Sequence, residues 1–317
     1  IVRSAEGEVL KIVEEKDANT EEKLITEGNT GIIAAPGNLL TQWLSKLGNS
    51  NAQGEFYLTD IIEMAVNDGI EVKTNQPDCQ DEVLGINDRS QLAHLERVYQ
   101  LQQAQSLMQH GVTLRDPARV DVRGGFKHLG QDIEVDVNVL FEGINSIGNN
   151  VIIGANCILK NAVIADDVEI LANCVIEDAV VGEHSRIGPF ARLRPQAELA
   201  SEVHIGNFVE IKKSTVATGS KINHLSYIGD ATIGSKVNIG AGTITCNYDG
   251  VNKFRTVIED EAFIGSDTQL IAPVTVRKGA TIGAGSTITK DTPEDQLTLS
   301  RPKQMSISNW QRPVKKT

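Results

Sequence analysis

Between Ile133 and Ile288 an aliphatic residue returns at every sixth position over most of the chain. The run reads Ile147, Ile153, Leu159, then Ile164, Ile170, Ile176, then Val181, Ile187, Leu193, Leu199, Ile205, Ile211, and on through Val216, Ile222, Ile228, Ile233 and Ile239. It breaks once and resumes as Ile264, Leu270, Val276, Ile282 and Ile288. A step of six matches neither the 3.6-residue period of a helix nor the two-residue alternation of an ordinary strand. It matches a coil with three flat faces of about six residues each, stacked on itself as a parallel β-helix. Steps of five, as from Leu159 to Ile164 or Ile211 to Val216, trim one face and keep the phase. Glycine often follows the aliphatic position, as at Gly148, Gly188, Gly206 and Gly240. Such glycines are expected at corners that need positive φ or close backbone approach. A β-sandwich, whose strands alternate by two, does not account for the period.

Of 317 residues, 40% are hydrophobic and only 4% aromatic, which suits an interior filled by Ile, Val and Leu. A net charge of −12 argues against a nucleic-acid or anionic-membrane partner, while leaving room for a local basic pocket. The cysteines (Cys79, Cys157, Cys174, Cys246) show no CxxC spacing, and two fall near hexad phase, where a thiol packs as a small apolar group. That usage is expected of a reduced, cytoplasmic protein. No apolar run reaches membrane length, so no membrane insertion is expected, and no signal peptide is visible. The chain opens on IVRSAEGEV without an initiator Met and is read as a fragment.

Residues 1–87 do not share the repeat. IVRSAEGEVLKIVEEKDA reads as two short strands around a Gly7 turn, and Asn29 to Ala35 as a further strand. Asn38 to Leu47 has helical spacing, and a second helix opens at Thr59 or Asp60 as N-cap. Glu71 to Lys73 and Glu82 to Leu84 are short strand candidates. This is an α/β pattern with too few strands for a complete doubly wound sheet. Residues 88–111 read as one linker helix, with Leu92, Leu95, Val98, Leu101 and Leu107 on one side and Gly111 as its stop. Residues 112–317 are the expected β-helix domain, ending in a basic tail that is either a short helix or an arm.

The hexad rhythm is interrupted at Thr245 to Thr256, a stretch holding Asn247, Tyr248, Asp249 and Lys253. A corner insertion in a solenoid is either a solvated turn or a binding loop. Upstream lie Arg192, Arg194, Glu210, Lys212 and Lys213, then His224, Tyr227 and Asn238. With a coil of about 17 residues, Arg194, Lys212 and the segment around His224 fall on successive coils. Arg and Lys converging on one place suit a phosphate or carboxylate, although each alone is an ordinary solvated side chain. His184, His204 and His224 suggest a zinc triad by their even spacing, but they occupy different phases of the coil and are not expected to converge. His224 alone is a candidate general base, since imidazole titrates near neutral pH.

The segments HIGNFVEIKKS, KINHLSYIGDATIG, VNIGAGTITCNYDGVNKFRT and FIGSDTQLIAPV, with SRP at 300–302, resemble the bacterial bifunctional N-acetylglucosamine-1-phosphate uridylyltransferase/glucosamine-1-phosphate N-acetyltransferase family. VEEKDA at 13–18, NTGI at 29–32 and GEFYLTDII at 54–62 resemble the late part of its uridylyltransferase domain. The resemblance runs along essentially the whole chain. It implies a mainly β fold with a left-handed parallel β-helix of hexapeptide repeats, preceded by a linker helix and a truncated α/β nucleotidyltransferase remnant. It implies a homotrimer with acetyltransferase sites shared between subunits, whose product feeds peptidoglycan and lipopolysaccharide precursors. The reaction implied is acetyl transfer from acetyl-CoA to glucosamine 1-phosphate.

By the same resemblance His224 is the general base, Arg194, Lys212 and Lys253 hold the sugar phosphate, and Tyr227 and Asn238 contact the sugar. Glu210 is a polar neighbour of that group. Ala241, Asn247, Tyr248, Ser266, Ala284 and Arg301 match acetyl-CoA contacts. The oxyanion donor is either a backbone N–H or Ser266. Glu14 and Asn29 match UDP-N-acetylglucosamine contacts, and Asn87 matches a contact to that ligand and Mg²⁺. The glycine-rich nucleotide loop and metal aspartate expected of the uridylyltransferase half do not occur in the sequence, so these three are read as vestiges and that activity is expected to be lost. A non-catalytic hexapeptide scaffold would lack the group of His224, Arg194, Lys212 and Lys253.

Overall fold

The structure, a computed structural model, describes residues 1–313 and 315; Val314, Lys316 and Thr317, at the end of the expected tail, lie outside the described residues. The chain divides into two compact units, residues 1–96 and residues from Arg97 onward. In the first, Val2–Arg3 and Val9–Lys11 pair as an antiparallel hairpin across Gly7, whose φ of +91° suits glycine. Helices α1 (Gly37–Leu44) and α2 (Asp60–Asn67) bury a small core of Trp43, Ile61 and Ala65. Thr59 stands before α2 but does not cap it: its hydroxyl donates to Glu14 Oε1 at 3.0 Å. The strands expected at 29–35, 71–73 and 82–84 do not form, and 80–82 is a turn of 3₁₀ helix. A two- or three-residue extended stretch becomes a strand only when a neighbour takes its N–H and C=O groups, and none among the described residues pairs with them.

Helix α3 (Arg89–Gln109) stops just before Gly111, at φ +91°. Its buried side takes in only part of the apolar stripe. Gln100, Ala104 and Leu107 are buried, while Leu92 and Leu101 are exposed. Gln100 decides the face: Oε1 accepts the Val122 N–H at 2.7 Å and Nε2 donates to the Val122 carbonyl at 3.1 Å, so the amide completes the ladder of the first long strand, Val120–Leu129.

From Thr113 the chain winds as a left-handed parallel β-helix. One face is an eleven-stranded parallel sheet, and the other two faces join round a corner in a seventeen-stranded one. Every hexad residue named above is buried, none more than 3% exposed. They stack into one continuous core from Ala104 to Ile288, each burial stabilising by about 1.5–3 kcal/mol. Coils repeat every 17 or 18 positions, as in Lys221↔Asn238 and Arg192↔Glu210. The interruption is an insertion: Asn238 pairs with Phe263, twenty-five positions on. At that coil the inward residue is Thr245, fully buried, its hydroxyl bonded to the N–H and carbonyl of Gly229. The rhythm is therefore broken by a polar residue in a core position as well as by the loop.

The cited glycines mostly serve the second of the two expected roles, close approach to the next coil. Of the four cited for the corners, only Gly188 has positive φ, at +96°. Many of the left-handed positions are held by Asn and Asp, such as Asn138, Asn156 and Asn173, which tolerate that region. Their amides stack into ladders, Asn138 Nδ2 donating to Asn156 Oδ1 at 2.9 Å and Asn156 Nδ2 to Asn173 Oδ1 at 3.2 Å. Gly206 serves close approach instead: a Cβ there would lie 1.9 Å from the Asn223 carbonyl oxygen. After the last strand, Leu297–Thr298, residues 299–313 form an exposed arm without helix.

Candidate functional site

On one face the strand Glu210–Lys212 lies beside Tyr227–Gly229, with Glu210 level with Tyr227 and Lys212 with Gly229. The Arg194 N–H donates to the Ile211 carbonyl at 2.9 Å, which sets Arg194 one coil before Lys212 at the same level. Its Nη1 donates to Glu210 Oε1 at 2.8 Å, and this bond holds the guanidinium above its ordinary value. The insertion folds back as a hairpin. Tyr248 and Lys253 bridge antiparallel, the Phe254 N–H donates to the Asn247 carbonyl at 2.9 Å, and the Asp249 carboxylate accepts the N–H groups of Val251 and Asn252. The turn delivers Lys253 against Lys212. The close approach of Lys212 and its charge repulsion lower the Lys253 ammonium below its ordinary value. Like charges held together are relieved by a bound anion, and two lysines with an arginine nearby suit a phosphate.

Beneath the loop sits Asp230, 7% exposed and at φ +49°. Its Oδ2 accepts Asn247 Nδ2 at 2.6 Å, and Oδ1 lies 3.7 Å from Lys213 Nζ. Gly229 makes room here: a Cβ would come within 2.4 Å of the Tyr227 hydroxyl and 2.9 Å of Asn247 Nδ2. Tyr227 therefore curls over Gly229 toward the Asn247 amide.

Round the next corner a second group forms a column. Asn207 and His224 are register partners on adjacent coils, and His224 Nδ1 lies 2.7 Å from Asn207 Oδ1. Gly242 N–H donates to the His224 carbonyl, placing Ala241 over His224. Asp267 N–H donates to the Ala241 carbonyl, Gly285 N–H to the Ser266 carbonyl, and Arg301 Nη1 to the Ala284 carbonyl at 2.9 Å. His224, Ala241, Ser266, Ala284 and Arg301 thus climb one edge of the solenoid. Tyr227 is three residues from His224, a span of at most about 10 Å. Asn238 stands apart from the column, level with Lys221 on the strand beside it. Leu225 turns the corner between His224 and the face that starts at Tyr227, and Lys212 and Arg194 stand at the far end of that face, level with Gly229. Tyr248 lies exposed on the loop, its hydroxyl donating to the Gly250 carbonyl. His204 is level with Lys221 and His224 with Asn207, so no histidine is stacked on another.

The three residues matched to the nucleotide half lie in the first unit. Asn29 lines an open cleft of about 1130 Å³ that neither Glu14 nor Asn87 lines. Glu14 accepts the Thr59 hydroxyl, and Asn87 uses its N–H on Gln91 Oε1. Among the described residues no group of three or more His, Cys, Asp or Glu could hold a metal ion. No helix among them is long and apolar enough to cross a membrane.

Residues 128–205 match the family described as GMPPB C-terminal domain, and residues 255–290 the bacterial transferase hexapeptide family of six repeats. The Bifunctional protein GlmU of Methylococcus capsulatus is 63% identical over 315 residues, covering 99% of this chain and 68% of that protein. The chain belongs to the GlmU family. GlmU of Ralstonia pickettii is 58% identical, covering 99% of this chain and 69% of its own. Among solved structures, the UDP-N-acetylglucosamine acyltransferase from Campylobacter jejuni aligns with a TM-score of 0.44 and 16% identity, over 59% of this chain and 71% of that one. As a GlmU with hexapeptide repeats, the chain is a transferase.

Two residues of the site were not singled out from the sequence, Asn207 and Asp230. Each stands seventeen positions before a residue that was, His224 and Asn247, and bonds to it directly. One coil length subtracted from each candidate would have found both.

Proposed function

We propose that this chain transfers an acetyl group from acetyl-CoA to the amine of glucosamine 1-phosphate, giving N-acetylglucosamine 1-phosphate. The observation that carries this reading is the corner itself: a histidine tied at Nδ1, in a column with Ala241, Ser266, Ala284 and Arg301, beside a face where Lys212, Lys253 and Arg194 gather. The cationic face takes the sugar phosphate, with Tyr227 and Asn238 on the sugar. The column, with Asn247 and Tyr248 from the loop, takes acetyl-CoA. A sugar amine titrates near a reference amine, roughly pH 8, so at neutral pH it needs a base to free its lone pair. His224 Nε2 takes the ammonium proton and passes it to water, then takes the second proton from the neutral nitrogen as it attacks the thioester carbonyl. A backbone N–H or Ser266 steadies the oxyanion, the C–S bond breaks, and the proton passes to the CoA thiolate. No acyl-enzyme is required, and buried Cys157 and Cys174 stay outside the chemistry.

In this reading the domains are 1–87, a linker 88–111 and the catalytic 112–317, and the protein works in the cytoplasm. The enzyme is a homotrimer, in which a second copy supplies the other wall of each corner site. The test is thiol release from acetyl-CoA with glucosamine 1-phosphate, with the product identified by mass. No acetylated sugar phosphate under conditions where the protein is folded would refute it.

A further inference from the structure

We propose that Asn207 is the positioning residue for the His224 base, and that its amide oxygen selects the ring tautomer in which Nε2 is bare. The proposal rests on the general-base reading of His224 given above. The two side chains are register partners at the ends of strands His204–Asn207 and Lys221–His224, so the backbone ladder fixes their separation. Gly206 lets the two coils close to that separation, because any side chain there would meet the Asn223 carbonyl. With Oδ1 at 2.7 Å, Nδ1 carries the proton and donates it. Among the described residues the ring makes no other hydrogen bond, which leaves Nε2 free to accept.

An imidazole in water prefers the opposite tautomer, with the proton on Nε2, where it is useless as a base at that atom. The partner of one ring nitrogen decides the state of the other. An exposed histidine such as His224 has no burial to hold it in place, so the hydrogen bond both orients the ring and chooses its tautomer. A neutral amide does this without the cost of a carboxylate. An aspartate at 207 would stabilise the imidazolium and leave less neutral base at the pH where the substrate amine must be deprotonated. The titratable neighbours on the same sheet are His204 one coil back and Lys221 on the same strand; neither hydrogen-bonds to the ring.

The direct readout is nitrogen-15 NMR of histidine-labelled full-length chain, with His224→Gln used to assign the signal. The wild type is expected to show His224 as the Nδ1–H tautomer. In Asn207→Ala the signal should move toward Nε2–H, and kcat for acetyl transfer should fall about ten- to hundredfold, with both KM values changed less than threefold. Asn207→Asp should keep the Nδ1–H tautomer, recover most of kcat at high pH, and move the acidic limb of the kcat–pH profile upward. A wild-type ring in the Nε2–H form, or an Asn207→Ala enzyme within twofold of wild-type kcat, overturns the proposal and leaves the base reading standing. Near-normal turnover by His224→Ala overturns the base reading and the proposal with it.

Discussion

Replacing Asp230 by alanine tests how the insertion loop is held. The carboxylate is 7% exposed and accepts Asn247 Nδ2 at 2.6 Å. Its removal leaves a buried amide donor without a partner, which costs about 1–3 kcal/mol. Alanine must also adopt the φ of +49° that Asp230 holds, a further cost of about 1 kcal/mol. The sum, about 3 kcal/mol, corresponds to a fall in Tm of roughly 6–12 °C for a unit of this size. Asp230→Gly removes the hydrogen bond but not the backbone freedom, so it should recover about 1 kcal/mol of the alanine loss. Asp230→Asn keeps both the backbone preference and an acceptor oxygen and should cost least. Because Asn247 anchors the hairpin that presents Lys253, the alanine variant should also raise KM for the sugar phosphate severalfold. Differential scanning calorimetry of the three variants and initial-rate kinetics read both effects. An Asp230→Ala protein within about 2 °C of wild type, with KM unchanged, would refute the reasoning.

Three further outcomes are expected. Lys253→Ala and Arg194→Ala should weaken capture of glucosamine 1-phosphate and matter less with unphosphorylated glucosamine, since a cationic clamp acts on ground and transition state alike; equal losses on both substrates in steady-state kinetics would contradict this. The Lys253 ammonium is lowered by Lys212, so its charge is lost at a pH below the ordinary lysine range, and KM for the sugar phosphate should rise on the alkaline side before lysine normally titrates. A Lys212→Met variant should move that rise to higher pH, and a profile unmoved by it would dismiss the coupling. Light scattering of the assay sample should give a trimer, with activity lost on dissociation; a fully active monomer would refute a shared site.

The solenoid was legible because each hexad residue faces inward once per face, a constraint local in sequence that no distant partner alters. The first unit was less so. Stretches such as Asn29 to Ala35 carry strand-like residues, but a strand needs a neighbour, and that information is not in the stretch itself. In helix α3 the apolar stripe reports Leu107 but not Gln100, which docks by hydrogen bonds to Val122 that no apolar pattern reports. The corners were legible in part: Gly206 and Gly229 are needed for close approach to a neighbouring coil and to Tyr227, while many left-handed positions fall to Asn and Asp, which no glycine pattern reports. In the candidate site, His224, Arg194, Lys212 and Lys253 stand out in the sequence by residue type alone. Asn207 and Asp230 act only through the residue stacked on them, so they emerge once the coil register is known.

The pH profile of His224→Ala tests the central claim most directly. A general base contributes as the proton moves, so kcat for acetyl transfer should fall by about 10²–10⁴ near neutral pH, while acetyl-CoA binding, measured by calorimetry, stays close to wild type. Raising the pH should narrow the gap, because more of the sugar amine is then free without help. Near-normal kcat across neutral pH would contradict the account and move the search for the base to Glu210.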